Sequence, residues 1–147
     1  MHTNVQKFAW IPTINVDYFV GVDGLSILMV MLTALLMPIA LLASTPIQKH
    51  QRVYYPLMLA TQTGLFGVFT TLNFFHWFIF WEAVLIPMFF IIKLWGSDGA
   101  ERAAVKFFFY TLVGSVTLLL AFQAVYLATG TWDFIALREL AARGQQY

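Results

Sequence analysis

Charged positions divide this chain into long apolar stretches. No Asp, Glu, Lys or Arg occurs from Gly24 to Gln48, a run of 25 residues, or from Phe107 to Trp132, a run of 26. Between Val53 and Ile92, a run of 40, Glu82 stands alone. About 20 apolar residues cross a bilayer as a helix, so the longest run crosses twice and four spans are expected, at about 25–44, 53–71, 74–95 and 104–129. Their ends carry turn chemistry: Asp23 is a good N-cap before the first run, and Ser44-Thr45-Pro46, Thr71-Leu72-Asn73, Gly96-Ser97-Asp98-Gly99 and Thr129-Gly130-Thr131 close the spans in turn. Pro38 falls inside the first span and removes one backbone hydrogen bond there, predicting a kink. Ahead of the spans, Ile14 to Val20 loosely alternates like a half-buried strand, so residues 1–23 are expected to cover the interface. The tail, 131–147, sets Phe134, Ile135, Leu137 and Leu140 against Asp133, Arg138, Glu139 and Arg143, a pattern suited to an interfacial amphipathic helix ending at Gly144. The fold class expected is therefore an all-α membrane protein with four transmembrane helices in residues 24–130.

Composition agrees, with 61% hydrophobic and 10% charged residues against roughly a quarter charged in soluble domains. A net charge of +1 provides no basic surface for nucleic acid. Without cysteine the chain makes no disulfide, thiolate zinc site, Cys-ligated iron–sulfur cluster or cysteine nucleophile of its own. The first residues lack the basic start and short apolar core of a signal peptide, so insertion is expected to use the helices themselves. Lys49, Arg52, Lys93, Arg102 and Lys106 fall at one side of the spans, and Lys7, Arg138 and Arg143 at the other. The positive-inside rule places the first group in the cytoplasm and both termini of the segment outside, which in a bacterium is the periplasm.

Glu82 is the one acidic residue inside a span. Counted from Phe74 it lies about 12 Å along its helix at ~1.5 Å per residue, near the middle of a ~30 Å hydrocarbon core. A central acidic residue costs roughly 2.5–3.5 kcal/mol on insertion scales, so such residues face a protein interior, a wet cavity or a partner cation. A carboxyl whose protonation answers to a neighbouring charge can load and release a proton; the plainer alternative is a protonated group that only joins helices. Lys93 shares its helix but sits roughly 16 Å away by helix rise. Lys93 and Lys106 lie at cytoplasmic helix ends, where snorkelling is the simpler reading and a polar contact to the proton path the sharper one. Pro87, five residues past Glu82, frees the carbonyl of Ala83.

Thr63, Gly67 and Thr70, with Lys106, Tyr110, Gly114 and Thr117, follow helical spacing that suits a wet path, although Gly64, Gly67 and Gly114 read first as close helix packing. His76 lies near the outer interface, as an interfacial polar residue or a proton relay. His50 is on the opposite side, which excludes a bis-histidine haem site within the chain. Trp77, Trp81 and Trp95, with Trp10 and Trp132, read as interface anchors.

Four stretches in order, Trp10-Ile11-Pro12, Val22-Asp23-Gly24-Leu25-Ser26, FWEAVLIPMFFIIKLWG (80–96) and RAAVKFFFYTLVGS (102–115), resemble the subunit M family of the proton-translocating NADH:quinone oxidoreductases, respiratory complex I. The wider family holds other antiporter-like subunits, multisubunit sodium/proton antiporters and membrane-bound hydrogenases. The resemblance covers nearly the whole chain. It implies helices three to six of about fourteen, within a larger antiporter-like bundle, and so a chain truncated at both ends: a gene fragment, a partial sequence or one piece of a split subunit. It also implies that the glutamate matching Glu82 pairs with a lysine on the seventh helix, a charge pair that gates proton movement towards later helices. Those helices are absent here, so the chain alone is not expected to pump.

The leading expectation is a membrane-arm component of this oxidoreductase, taking part in proton translocation with Glu82 as coupling carboxylate and Lys106, Lys93 and His76 as secondary candidates. NADH, FMN, iron–sulfur clusters and quinone are implied for the complex and none for this chain, which has no Gly-rich phosphate loop after a strand. The implied partners are the other membrane subunits, the remainder of the subunit and the lipid bilayer, in a bacterial inner membrane. A cation/proton antiporter or hydrogenase subunit is the alternative within the family. A non-pumping assembly bundle is the alternative outside it.

Overall fold

The computed structural model describes residues 3–11, 13 and 16–144. Two strands, β1 (Thr3–Ile11) and β2 (Val16–Val22), form an antiparallel hairpin with Lys7 opposite Phe19 and Phe8 opposite Tyr18. The strand expected from the alternation is β2; Pro12, Ile14 and Asn15 of the sequence motifs lie outside the described residues. The all-α expectation is corrected to this extent: a two-stranded sheet precedes the helices because Val16 and Phe19 find apolar cover while Tyr18 stays exposed.

The helices are α1 (Gly24–Ala43), α2 (Gln51–Thr70), α3 (Phe74–Trp95), α4 (Ala100–Thr129) and α5 (Phe134–Gly144). α4 starts four residues before the expected position, because Gly99 takes φ +82° and Ala100-Glu101-Arg102-Ala103 are residues that favour a helix. α5 is the amphipathic tail helix. The helices pack in sequence order, α2 against α1 and α3, and α3 against α4. α1, α3 and α4 are each long and apolar enough to cross a membrane, which makes this a multi-pass membrane protein. α2 has 20 residues as well, but Gln51, Arg52, Tyr54, Tyr55, Thr61, Gln62 and Thr63 dilute its apolar character and it does not join that group.

The two ends of the bundle are built differently. At the hairpin end all three helix starts have side-chain caps. Asp23 accepts from the Leu25 and Ser26 amides while Ser26 accepts from the Asp23 amide. Asn73 accepts from His76, and Asp133 from Ile135 and Ala136. Backbone bonds then join separate connections: Leu72 donates to Phe19, Phe74 to Trp132 and Phe134 to Leu72. Val16, Phe74 and Trp132 form the core beneath, with Phe122 stacked on Phe74 at 3.4 Å and Tyr126 on Trp132 at 4.4 Å between ring centroids. Trp132 is thus buried in that core, not an exposed anchor.

At the opposite end α2 and α4 begin after His50 (φ 53°) and Gly99 with no side-chain cap. Side chains close this end: Ser44 Oγ and Tyr54 OH are 2.8 Å apart, and Trp95 Nε1 donates to the Lys49 carbonyl at 2.7 Å.

Candidate functional site

α3 is the central helix of the site, running unbroken through Pro87 with α2 on one side and α4 on the other. Its α2 face is set by glycine. A Cβ on Gly64 would strike Val84, and one on Gly67 would strike the ring of Phe80, so the two helices approach as only small residues allow. Its α4 face carries ring contacts, Phe74 with Phe122 and Phe89 with Phe108 at 5.5 Å. Between them, Trp81 Nε1 donates to Ser115 Oγ at 3.3 Å.

Glu82 follows Trp81 directly. It is two residues from both Phe80 and Val84, about 200° around the helix from each, so it points away from α2. Its Oε1 is buried and has no hydrogen-bond partner among the described residues. Buried carboxyl oxygens are ordinarily hydrogen-bonded, which sets this one apart from the capped and paired polar groups elsewhere in the bundle. This is the feature the sequence placed at mid-span, and here it is held inside the protein.

The other candidates do not gather around it. Lys93 Nζ pairs with Glu101 Oε1 at 3.0 Å, joining the last turn of α3 to the first of α4, and lies over the Phe89 ring at 5.9 Å. Lys106 is exposed and nine residues before Ser115, about half a turn around α4, so it faces away from α3. His76 is buried at 4% exposure, with Tyr18 of β2 at 4.7 Å and Phe80 at 5.0 Å between ring centroids. It sits under the hairpin and not at an open interface. Among the described residues no three His, Cys, Asp or Glu side chains stand close enough to hold a metal ion.

Thr63, Thr70 and Thr117 each donate to the carbonyl four residues before them. Gly64 and Gly67 serve packing, while a Cβ on Gly114 meets nothing within 4 Å. The residue pair missed by sequence reasoning is Trp81 and Ser115. Trp81 was expected at the interface, yet it is the eighth residue of α3, and an indole at that depth needs an acceptor for its N–H. That depth, together with a lone serine within the 26-residue apolar run, was the available signal.

Apolar helices packed in antiparallel order around a bare mid-span carboxyl define the class: a multi-pass membrane protein with a protected ionisable group. Comparison with known proteins narrows this. Residues 71–147, more than half of the chain, match the family model described as NADH:quinone oxidoreductase/Mrp antiporter, transmembrane. Residues 3–68 match the model for NADH-ubiquinone oxidoreductase chain 4, amino terminus. The chain belongs to the NADH:quinone oxidoreductase/Mrp antiporter membrane family.

Among its relatives, NADH-quinone oxidoreductase subunit M of Rhodobacter capsulatus is 41% identical over 133 residues, 90% of this chain and 26% of the relative. The chloroplastic NAD(P)H-quinone oxidoreductase chain 4 of Chara vulgaris is 40% identical over 137 residues, 91% of this chain and 28% of the relative. The F(420)H(2) dehydrogenase subunit M of Methanosarcina mazei is 39% identical over 145 residues, 95% and 29% respectively. The chain thus spans between a quarter and a third of the length of these relatives.

Proposed function

We propose that this chain is a segment of a complex I membrane-arm subunit, in which Glu82 takes and releases a proton during translocation coupled to quinone reduction. The observation that carries the reading is the buried Oε1 of Glu82 in the middle of α3, which has no hydrogen-bond partner among the described residues. A carboxyl in that setting changes charge when a neighbouring cation approaches or withdraws, which is the property a proton-loading group needs. In this reading all four long helices span the membrane, α2 being sheltered between α1 and α3. The five cations Lys49, Arg52, Lys93, Arg102 and Lys106 face the cytoplasm, and both ends of the segment face the periplasm of a bacterial inner membrane.

Lys106 and Lys93 are cytoplasmic-side polar contacts and His76 an outer-side relay candidate. The basic partner of Glu82 comes from the remainder of the subunit or a neighbouring one. Flavin, iron–sulfur clusters and quinone reside in other subunits, in keeping with a chain that has no cysteine. The relatives' names carry NADH, NAD(P)H and F(420)H(2), so segments similar to this one occur in enzymes named for different electron donors.

The test is Glu82→Gln in the assembled complex, read as proton uptake and release in vesicles alongside complex content. Loss of translocation, at least tenfold, with assembly preserved is expected. Intact translocation with altered assembly would instead make the chain a structural bundle. Retained sodium/proton exchange without quinone-linked pumping would favour the antiporter reading.

A further inference from the structure

The two seams of α3 differ in what holds them. Against α2, Gly64 and Gly67 receive Val84 and Phe80 with no room for a methyl group, so sterics alone determine the spacing. Against α4 the packing is open. A cavity of about 410 Å³ lies where α2, α3 and α4 meet, with Leu65 and Val68 of α2 facing Trp81 and Met88 of α3 and Phe107 and Thr111 of α4. A second, of about 250 Å³, lies between Ile86, Phe89 and Phe90 and Phe108. Apolar contacts along such a seam slide at little cost, because a void has no atoms to resist the shift.

One directional contact crosses it at the depth of the carboxyl: Trp81 Nε1–H to Ser115 Oγ, with Ser115 only 4% exposed. Consecutive Cα atoms are about 3.8 Å apart, so the backbone carrying Glu82 is pinned one residue from this bond. We propose that Trp81 and Ser115 are positioning residues that lock the rotation of α3 against α4 and thereby hold the Glu82 carboxyl on its protected face. Trp81 is itself 41% exposed, but at mid-span its outer side meets hydrocarbon, where an indole N–H left without its acceptor is costly. Losing the bond leaves this depth of the seam without a directional contact, so α3, moving together with α2, can shift against α4 and carry Glu82 with it.

No competing charge blurs the prediction. α2 beyond Arg52 carries no Asp, Glu, Lys, Arg or His, and on α4 Glu101, Arg102 and Lys106 all precede the apolar run. Glu101 is paired with Lys93, and Lys106 faces away from α3. On α3 itself His76 and Lys93 are six and eleven residues from Glu82. Tyr54 and Tyr55 of α2 and Tyr126 of α4 stand towards the ends of those helices, and Tyr110, five residues from Ser115, is 78% exposed.

The inference rests on Glu82 being the titrating group of the proposed function, and its test separates the two. In the assembled complex, the infrared carboxyl band abolished by Glu82→Gln is titrated in the parent and in Ser115→Ala, Ser115→Thr and Trp81→Phe. Ser115→Ala and Trp81→Phe are expected to move the midpoint of that titration and to lower translocation severalfold, with Ser115→Thr restoring both. An unchanged titration midpoint in both Ser115→Ala and Trp81→Phe would overturn the positioning role. If Glu82→Gln leaves translocation intact, the proton-coupling function fails, while the band titration still decides the positioning claim. Trp81→Phe covers the case in which Ser115→Ala does not assemble.

Discussion

The α2/α3 seam and the α3/α4 seam enclose the same helix by opposite means. On the first, glycines remove side chains so that Phe80 and Val84 can press against backbone. On the second, large rings meet at intervals, a void opens beside them, and one mid-span hydrogen bond joins the helices, with the Lys93–Glu101 pair at their cytoplasmic-end turn. The difference teaches where a membrane helix can move. Without a hydrophobic force between helices in lipid, van der Waals fit and hydrogen bonds are what remain, and only the fitted seam is rigid in every direction. Glu82 lies on the side of α3 turned from the rigid seam, where rotation has consequences for its surroundings.

That contrast can be attacked first at its tight side. Gly67→Val puts three carbons where the Phe80 ring now sits, and overpacking of this kind costs about 1–3 kcal/mol. The thermal midpoint of the detergent-solubilised complex is expected to fall accordingly; an unchanged midpoint would show that α2 and α3 are not locked by glycine. The open side gives the opposite sign. Gly114 lies in the apolar run of α4, where an added Cβ meets nothing, so Gly114→Ala is expected to gain about 0.5–1 kcal/mol from helix propensity. Loss of complex assembly in Gly114→Ala would instead reveal another helix packed at that face.

The smallest effect lies away from both seams, at the hairpin. Lys7 Nζ bridges Asp17 at 3.1 Å and Asp133 at 3.4 Å, tying β1 to β2 and to the start of α5. The hydrogen bond to Asp17 is the main cause that raises the Lys7 pKa above its ordinary value, partly opposed by burial and helped by Asp133. Because the folded value is the higher one, the folded state favours the protonated lysine. The stabilisation is complete below the ordinary lysine value and is lost as pH rises through the raised one. With Lys7 48% exposed, solvent screening limits the pair to a few tenths of a kcal/mol. The stability gap between Lys7→Gln and the parent is expected to stay constant from neutral pH to about pH 9 and to close only in the alkaline lysine range. A gap that varies near neutrality would point to another titrating group.

Much of the architecture is legible in the chain. The charge-free runs locate α1, α3 and α4, and Asp23 announces the start of α1 because a carboxylate can accept from amides that the helix leaves bare. The amphipathic tail reads directly as α5. β1 was less visible, since a strand whose partner lies across a turn needs that partner to show which positions are covered. Of the site, Glu82 stands out by its cost in lipid alone. Lys93 and Lys106 are chemically similar, and their separate fates, one paired with Glu101 and the other turned from α3, depend on helix rotation that spacing within one helix does not contain. Gly67 and Gly114 likewise look equivalent in the chain and differ entirely in what surrounds them.

By itself, then, the sequence determined the membrane environment, the long apolar helices and the isolated carboxyl, because each follows from the cost of charge in hydrocarbon and from local capping chemistry. Only the tertiary structure decided which side of α3 is tight, that Trp81 meets Ser115, and that Oε1 of Glu82 is buried bare. Those facts arise from the relative rotation of neighbouring helices, set by contacts between residues that are more than ten positions apart in the chain.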